Sequence, residues 1–335
     1  MSALPDPGIL DRAYGALLGL AIGDALGMPT QMLTYGEVAA RYGVLDRFHP
    51  GPPDHPIAAG LPAGHVTDDT DQAVILGRLL VAGDGSLDPY AFVAALQAWE
   101  QHAVATGSAD LLGPSTKRAL ERIAAGEDIM TAGRDGVTNG AAMRIAPVGI
   151  ACAPEPIDRL VAVVAQVCRP THGSDVAIAG AAAVAAAVSA GIAGRDTREA
   201  VAIGIAAAWR TDRDLADRIT RAVHLLDGAA LRDLGGVVTE FVGTSLATAE
   251  SVPAALAIAA RFATDPWDAA RYAASLGGDS DTIAAMVGAV VGAVRGASSF
   301  PSEPVARLAA ANPGLRLQTL AEALLALRPD GFGET

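Results

Sequence analysis

The sequence is poor in three kinds of residue, and each shortage argues against a class of protein. Its only cysteines, Cys152 and Cys168, are too few and too far apart for a disulfide framework or a CxxC zinc or redox motif. Aromatic residues make up 4% of the chain, so the interior cannot depend on large rings. Lys and Arg number 24 against 37 Asp and Glu, and the net charge of −13 argues against a nucleic-acid or anionic-membrane partner.

The N-terminus also lacks a basic segment ahead of an apolar stretch. Asp6 and Asp11 precede the first hydrophobic run, which is unlike a secretory signal peptide. We therefore expect a cytoplasmic protein.

Two uncharged runs, residues 176–194 and 282–294, raise the question of membrane-spanning helices. Both consist largely of Ala and Gly, which gain little on transfer to lipid, and the second is too short to span a bilayer. We expect both to be central helices buried against other helices, and no membrane partner.

The hydrophobic residues that are present are mostly small and aliphatic. They make up 51% of the chain, and Ala, the strongest helix former, lets helices approach closely. Apolar residues recur at helical spacing and no convincing strand alternation appears, although residues 237–244 could form one short strand. With no repeat or long linker, the sequence predicts an all-α, single compact multi-helix domain over residues 1–335. It includes a Pro/Gly-rich loop at about 50–64 and a short flexible tail at about 329–335.

The predicted helices are bounded by Pro, Gly and acidic residues. In the first of them, Gly15, Gly19 and Gly23 recur every four residues and suit a close helix contact. The predicted ranges are 10–26, 69–81, 89–106, 114–125, 156–168, 176–193, 197–209, 215–226, 252–263, 267–276, 282–295 and 304–327.

Two acidic clusters, residues 67–71 (TDDTD) and 279–282 (DSDT), each precede an apolar helical stretch. Ser, Thr and Asp are favoured at helix N-caps, so capping is one interpretation. Capping needs only one such residue per helix, however, and carboxylates gathered away from water repel one another unless a cation lies between them. Carboxylate and hydroxyl oxygens are ligands of hard divalent cations, so a shared metal site is the second interpretation.

Five motifs follow one another over nearly the whole chain. They are residues 15–27 (GALLGLAIGDALG), 66–70 (VTDDT), 139–147 (NGAAMRIAP), 171–172 (TH) and 276–285 (LGGDSDTIAA). In this order they resemble the ADP-ribosylglycohydrolase family. The resemblance implies α-helices around a cleft that binds two Mg²⁺ ions, or Mn²⁺ in their place. The implied metal ligands are Thr67, Asp68, Asp69, Asp279, Asp281 and Thr282.

The expected reaction is hydrolysis of a glycosidic bond at C1′ of a ribose. Its transition state resembles an oxocarbenium ion, which nearby negative charge stabilises and which a placed acid can assist. Many family members carry Glu where this chain has Gln31, and Gln cannot transfer a proton at neutral pH. We name Asp281 and Asp110 as candidate catalytic residues, although Asp110 could equally cap the next helix.

The remaining motif residues have both a structural and a functional interpretation. Asn139 and Gly140 would form a tight turn that could also present amides to a phosphate. Met143 suits core packing, Arg144 a structural salt bridge and His172 a buried core position. Asp24 is expected to fix an inner loop, and histidines 49, 55 and 65 to be solvated loop residues. The predicted substrate-binding residues are Gln31, Asn139, Gly140, Met143, His172, Gly277, Gly278 and Ser280.

Three functions remain open from the sequence. The first is a Mg²⁺-dependent hydrolase that releases ADP-ribose from a protein side chain or a small ADP-ribose derivative. The second is a hydrolase of a simpler ribosyl or nucleoside-like metabolite, which Gln31 favours. The third is an ADP-ribose-binding module that has lost its catalytic acid.

Overall fold

The helices at Pro7–Gly27 and Ser280–Arg295 pack backbone against backbone. In this computed structural model, which describes residues 7–108 and 112–328, a Cβ atom at Gly19 would lie 2.0 Å from the Gly288 carbonyl oxygen. A Cβ atom at Gly288 would lie 1.9 Å from the Gly19 carbonyl oxygen, and Gly23 meets Ala284 in the same way. Since Gly23 lies late in its helix and Ala284 early in the other, the pair is antiparallel. The glycine spacing is thus the reason for the contact.

The described residues form seventeen α-helices, α1 to α17 in chain order. They are α1 (Pro7–Gly27), α2 (Tyr35–Arg41), α3 (Asp68–Ala82), α4 (Pro89–Ala105), α5 (Pro114–Ala124), α6 (Gly140–Met143), α7 (Ala146–Ala151), α8 (Ile157–Cys168), α9 (Asp175–Ile192), α10 (Thr197–Trp209), α11 (Arg213–Gly228), α12 (Leu234–Val237), α13 (Thr248–Arg261), α14 (Pro266–Ala274), α15 (Ser280–Arg295), α16 (Ser302–Ala311) and α17 (Leu317–Leu325).

The core is a single cluster of small aliphatic side chains, centred on α1, α9, α13 and α15. By length and hydropathy α9 could cross a membrane, but 89% of that window is buried inside the protein. Burial by α7, α8, α10 and α15 identifies it as a core helix, as the sequence predicted.

The all-α prediction is confirmed: within the described ranges no strand occurs, and the one β-bridge joins Thr138 to Ala247. Residues 237–244, for which the sequence left a short strand open, are not a strand: α12 continues into a π-helical turn at Val238–Val242. One finer prediction is wrong. The helix predicted over 304–327 is two helices, because Pro313 disfavours a helical conformation at Asn312 and Gly314 follows. The tail at 329–335 lies outside the described residues.

The long Pro/Gly-rich connection ends where α3 begins. It contains no helix between α2 and α3, in agreement with the sequence prediction. Asn312 holds its last residues: its amide donates 2.8 Å to the Gly64 carbonyl, and its Oδ1 accepts from the Val66 N–H at 3.2 Å. The turn between α16 and α17 therefore positions the first acidic cluster.

We predict that Gly288→Ala lowers the free energy of unfolding by about 3 kcal/mol, because the added methyl group collides with backbone rather than with a movable side chain. Urea unfolding followed by circular dichroism measures this. The control is Gly36→Ala in α2, where a Cβ atom meets nothing within 4 Å. That variant should be neutral or up to about 1 kcal/mol more stable. Equal stability of the two variants would contradict the packing argument.

Candidate functional site

Asp24, near the C-terminal end of α1, fixes the start of α3. Its carboxylate accepts hydrogen bonds from the Thr67 N–H at 2.9 Å and hydroxyl at 2.8 Å, and from the Thr70 N–H at 3.2 Å and hydroxyl at 2.5 Å. Burial raises the pKa of Asp24 to about 6, although these hydrogen bonds act in the opposite direction. The sequence prediction that Asp24 fixes an inner segment is confirmed.

Self-capping does not account for either acidic cluster. The N-cap residues of α3 and α15 are Thr67 and Asp279, and neither side chain makes a capping hydrogen bond to its own helix. The donors at the start of α3 are satisfied by Asp24 from another helix instead. Capping therefore does not explain why acidic residues gather at the two helix starts.

The two clusters meet at Asp69. Its Oδ2 accepts from the Thr282 hydroxyl at 3.2 Å and from the Thr67 hydroxyl at 3.4 Å, so residues 213 positions apart are in direct contact. The structure thus brings together the start of α3 and the start of α15, as the candidate metal site requires.

Asp69 is a strongly perturbed carboxyl group at the centre of the site. It is fully buried, and its Oδ1 has no hydrogen-bond partner among the described residues. Burial raises its pKa well above the ordinary value, and the neighbouring negative charges raise it further; they belong to Asp281, Asp68, Asp24 and Asp279. A buried carboxylate with an unused oxygen, beside threonine hydroxyls, has the donor chemistry of a hard-cation site.

The oxygen donors of the two helix starts nevertheless do not form a complete set of ligands around one point. Among the described residues no three His, Cys, Asp or Glu side chains already surround a common point. The residues that could hold a divalent cation are the predicted six, with oxygen donors only.

Asn139 connects a third segment to the site. Its amide Nδ2 donates to Asp279 Oδ2 at 2.5 Å and to Ser251 Oγ at 3.0 Å, and its backbone N–H donates to the Leu246 carbonyl. Burial raises the pKa of Asp279, while the hydrogen bonds from Asn139 and Thr282 oppose that shift. Asn139 has φ −76°, so it opens α6 without the left-handed angle that the sequence allowed.

Three glycines predicted to bind substrate serve close packing against protein instead. A Cβ atom at Gly140 would lie 2.9 Å from the His172 ring. Gly277 and Gly278 have φ of +71° and +65°, and a Cβ atom there would meet the Leu33 and Thr244 carbonyls at 2.3 Å. The glycines thus let three loops converge beside Asp279.

Several predicted substrate residues are buried in the protein. Met143 belongs to the core, and Ser280 is fully buried, where its hydroxyl lies 3.0 Å from the Thr30 hydroxyl beneath the end of α1. Gln31 is 7% exposed, and its Nε2 has no hydrogen-bond partner among the described residues. A buried donor without a protein partner is one that a ligand or a water molecule could satisfy.

His55 is not the solvated loop residue that the sequence predicted. It is buried, and its Nε2 lies 2.8 Å from the Gln31 carbonyl oxygen. Its Nδ1 accepts from the N–H groups of Ile57 and Ala58, which fixes the turn around it. The Pro/Gly-rich loop thereby supports the backbone of Gln31. Asp110, the other candidate catalytic residue, lies outside the described residues.

A sequence model of the ADP-ribosylglycohydrolases matches residues 5–332. The chain belongs to this family. Membership makes the protein a hydrolase of glycosyl bonds, and the predicted all-α fold of this family and the resemblance are confirmed.

Three relatives and one solved structure illustrate the similarity. The uncharacterised protein YegU of Escherichia coli K12 is 35% identical over 90% of this chain and 93% of its own length. The ADP-ribosyl-[dinitrogen reductase] glycohydrolase of Rhodospirillum rubrum is 29% identical over 90% and 92%. The ADP-ribosylarginine hydrolase Tri1 of Pseudomonas putida GB-1 is 30% identical over 90% and 75%. A solved ADP-ribosylglycohydrolase-related protein complex superposes with a TM-score of 0.73 at 28% identity, covering 95% of this chain and 98% of its own.

Sequence reasoning gave no role to Gln72 and underestimated Arg144. Gln72 Nε2 donates to Asp68 Oδ2 at 2.7 Å, and Gln72 Oε1 accepts from the buried Arg144 guanidinium at 2.6 Å. The helical spacing of Asp68 and Gln72, four residues apart at the start of a helix, was the signal that could have identified this contact.

We predict that Asp69→Asn raises the free energy of unfolding in the presence of chelator by about 1–2 kcal/mol, because burying this carboxyl group among other carboxylates opposes folding. The amide keeps one oxygen that can accept from Thr67 and Thr282. Chemical denaturation in EDTA measures the change. Asp217→Asn, at an exposed position of α11, removes the same charge and should change stability by less than about 0.5 kcal/mol. A loss of stability in Asp69→Asn would contradict the electrostatic argument.

Proposed function

We propose that this protein uses Mg²⁺ or Mn²⁺ to hydrolyse the C1′ glycosidic bond between ADP-ribose and a protein side chain. The observation that carries the proposal is the contact between Asp69 and Thr282, which unites the two acidic helix starts. The names of two relatives, an ADP-ribosyl-[dinitrogen reductase] glycohydrolase and an ADP-ribosylarginine hydrolase, support the kind of substrate.

The cation ligands in this proposal come from both helix starts. When bound, the ions orient ribose hydroxyls and polarise an oxygen at the reacting carbon. The residues that would hold them are Thr67, Asp68, Asp69, Asp279, Asp281 and Thr282. The unpartnered Asp69 Oδ1 and the two threonine hydroxyls beside Asp69 fit this role.

The chain's own groups contribute positioning and negative charge. Asp24 holds Thr67 and Thr70, so the first turn of α3 cannot move away from α15. Asn139 engages one oxygen of Asp279 and so fixes the orientation of its carboxylate. Negative charge around the reacting carbon stabilises an oxocarbenium-like transition state. Gln31 would bind a ribose hydroxyl or water through its free Nε2, but it cannot move a proton.

A second candidate substrate is a simpler ribosyl metabolite, and Gln31 is the observation that favours it. A leaving group that departs without protonation needs no acid at this position, whereas departure of a strongly basic side chain is helped by one.

We predict that the wild-type protein melts at a higher temperature with Mg²⁺ than with EDTA. We also predict that it releases ADP-ribose from an ADP-ribosylated protein when Mg²⁺ is present and not in EDTA. Asp281→Asn should abolish both the thermal shift and the release while it retains its helical circular dichroism, because one carboxylate of the set is lost. Asp217→Asn is the charge-matched control and should behave as wild type. Full activity of Asp281→Asn would contradict the metal assignment.

We predict that Gln31→Glu raises kcat for release from a protein side chain by about 10²-fold or more, since a positioned acid commonly contributes this much. The measurement compares ADP-ribosylated protein with free ribosides, in both the wild type and the variant. Gln31→Met removes the amide without adding an acid and is the control. Hydrolysis of ribosides, with ADP-ribosylated protein untouched by the wild type and by Gln31→Glu, would favour the second candidate.

A further inference from the structure

Arg144 is a fully buried cation, and its three hydrogen-bonding partners are neutral side chains. Its Nη1 donates to Gln72 Oε1 at 2.6 Å, and its Nη2 donates to Thr171 Oγ1 at 2.5 Å and lies 3.4 Å from His172 Nδ1. Its guanidinium carbon lies 5.2 Å from the centre of the Phe92 ring. Burial lowers the pKa of Arg144 to about 10, so the group stays charged at neutral pH. An apolar side chain could fill this place without the cost of burying a charge.

One chain of hydrogen bonds runs from Arg144 through Gln72 to Asp68 and determines how Asp68 is held; we call each such chain an arm of Arg144. A guanidinium has only donors, so the oxygen of the Gln72 amide must face Arg144 and its NH₂ group must face Asp68. That NH₂ group donates to Asp68 Oδ2 at 2.7 Å. Gln72 is itself buried, with 1% of its surface exposed, so solvent does not compete for its bond to Arg144. Arg144 therefore fixes the orientation of the Asp68 carboxylate through a single intermediate residue.

The other arm reaches the opposite side of the site. Arg144 Nη2 can only donate and lies 3.4 Å from His172 Nδ1, so we assign Nδ1 as an acceptor and the Thr171 hydroxyl, 2.9 Å away, as its second donor. In this tautomer His172 Nε2 carries the ring proton and donates to the Thr138 hydroxyl at 3.0 Å. Burial, followed by the charge of Arg144, lowers the pKa of His172 well below its usual value, which agrees with a neutral ring. Thr138 directly precedes Asn139, whose amide bonds Asp279.

We propose that Arg144 is a positioning residue that sets the cation affinity of the site through two arms, Gln72 to Asp68 and Thr171–His172 to the Asn139 loop. The inference rests on the proposed function, because it assumes that Asp68 and Asp279 bind a cation. It also gives His172 a structural role as a neutral relay, rather than contact with substrate. Neither Arg144 nor Gln72 needs to touch substrate for this role.

The experiment is Mn²⁺ binding alone, measured by the electron paramagnetic resonance signal of free Mn²⁺, on wild type, Gln72→Leu and Arg144→Met. We expect the Mn²⁺ dissociation constant to rise about 10- to 100-fold in each variant, as is typical when a partner of a metal ligand is lost. The double variant should be no weaker than the more affected single variant, because both changes break the same arm. Release of ADP-ribose by Gln72→Leu should recover at saturating Mn²⁺, which a merely unfolded variant cannot do.

Arg328→Met is the matched control. Arg328 is the second buried arginine, and burial also lowers its pKa to about 10. It donates to the backbone carbonyls of Gly149, Ile150, Cys152 and Ser189, at the end of α7 and in α9, and among the described residues none of these bonds reaches the site. Its replacement should lower the melting temperature and leave the Mn²⁺ dissociation constant within about twofold of wild type.

Unchanged Mn²⁺ affinity in Gln72→Leu and Arg144→Met, with wild-type binding and hydrolysis intact, would overturn the relay and leave the proposed function standing. A wild-type protein that binds no Mn²⁺ at millimolar concentration would overturn both. If Arg144→Met fails to fold, Gln72→Leu decides the matter, because leucine fills a similar volume on the same helix face.

Discussion

The backbone contact between α1 and α15 determines where the acidic residues of the candidate site lie. Because glycines leave no side chains between the two helices, the end of α1 comes against the start of α15: a Cβ atom at Gly27 would lie 2.3 Å from the Asp281 Cα. Asp24 sits one turn earlier in α1 and ties the start of α3 to the same place. The end of α1 and the starts of α3 and α15 are thereby held close together, and the loops of the site pack around them.

Holding carboxylates in that volume opposes folding. The pKa values of Asp24, Asp69 and Asp279 are all raised, with burial as the largest cause. The core of small aliphatic residues and the Asp24 hydrogen bonds offset this cost. A site that is electrostatically unfavourable when empty binds a cation more strongly, since the ion removes the repulsion that folding has imposed. In the proposed function, the residues that lower stability are therefore the ones that bind the cation.

Much of the fold and of the candidate site could be predicted from local sequence patterns. The helices follow from apolar spacing, and the acidic clusters from their composition. The close contact of α1 follows from glycines repeated every four residues. The failures have physical causes as well: Pro313 interrupts a helix that periodicity alone continues. His55 was misjudged because its burial depends on a distant backbone carbonyl, that of Gln31.

The sequence by itself determined the family, the all-α class and the identity of the acidic residues, because these depend on local composition and on motifs read in order. Only the tertiary structure decided which side chains meet. The Asp69–Thr282 contact joins positions 213 residues apart, and the bonds from Arg144 reach Gln72 and Thr171, 72 and 27 positions away. No spacing rule relates such positions, since their distance is set by how helices pack and not by the chain between them.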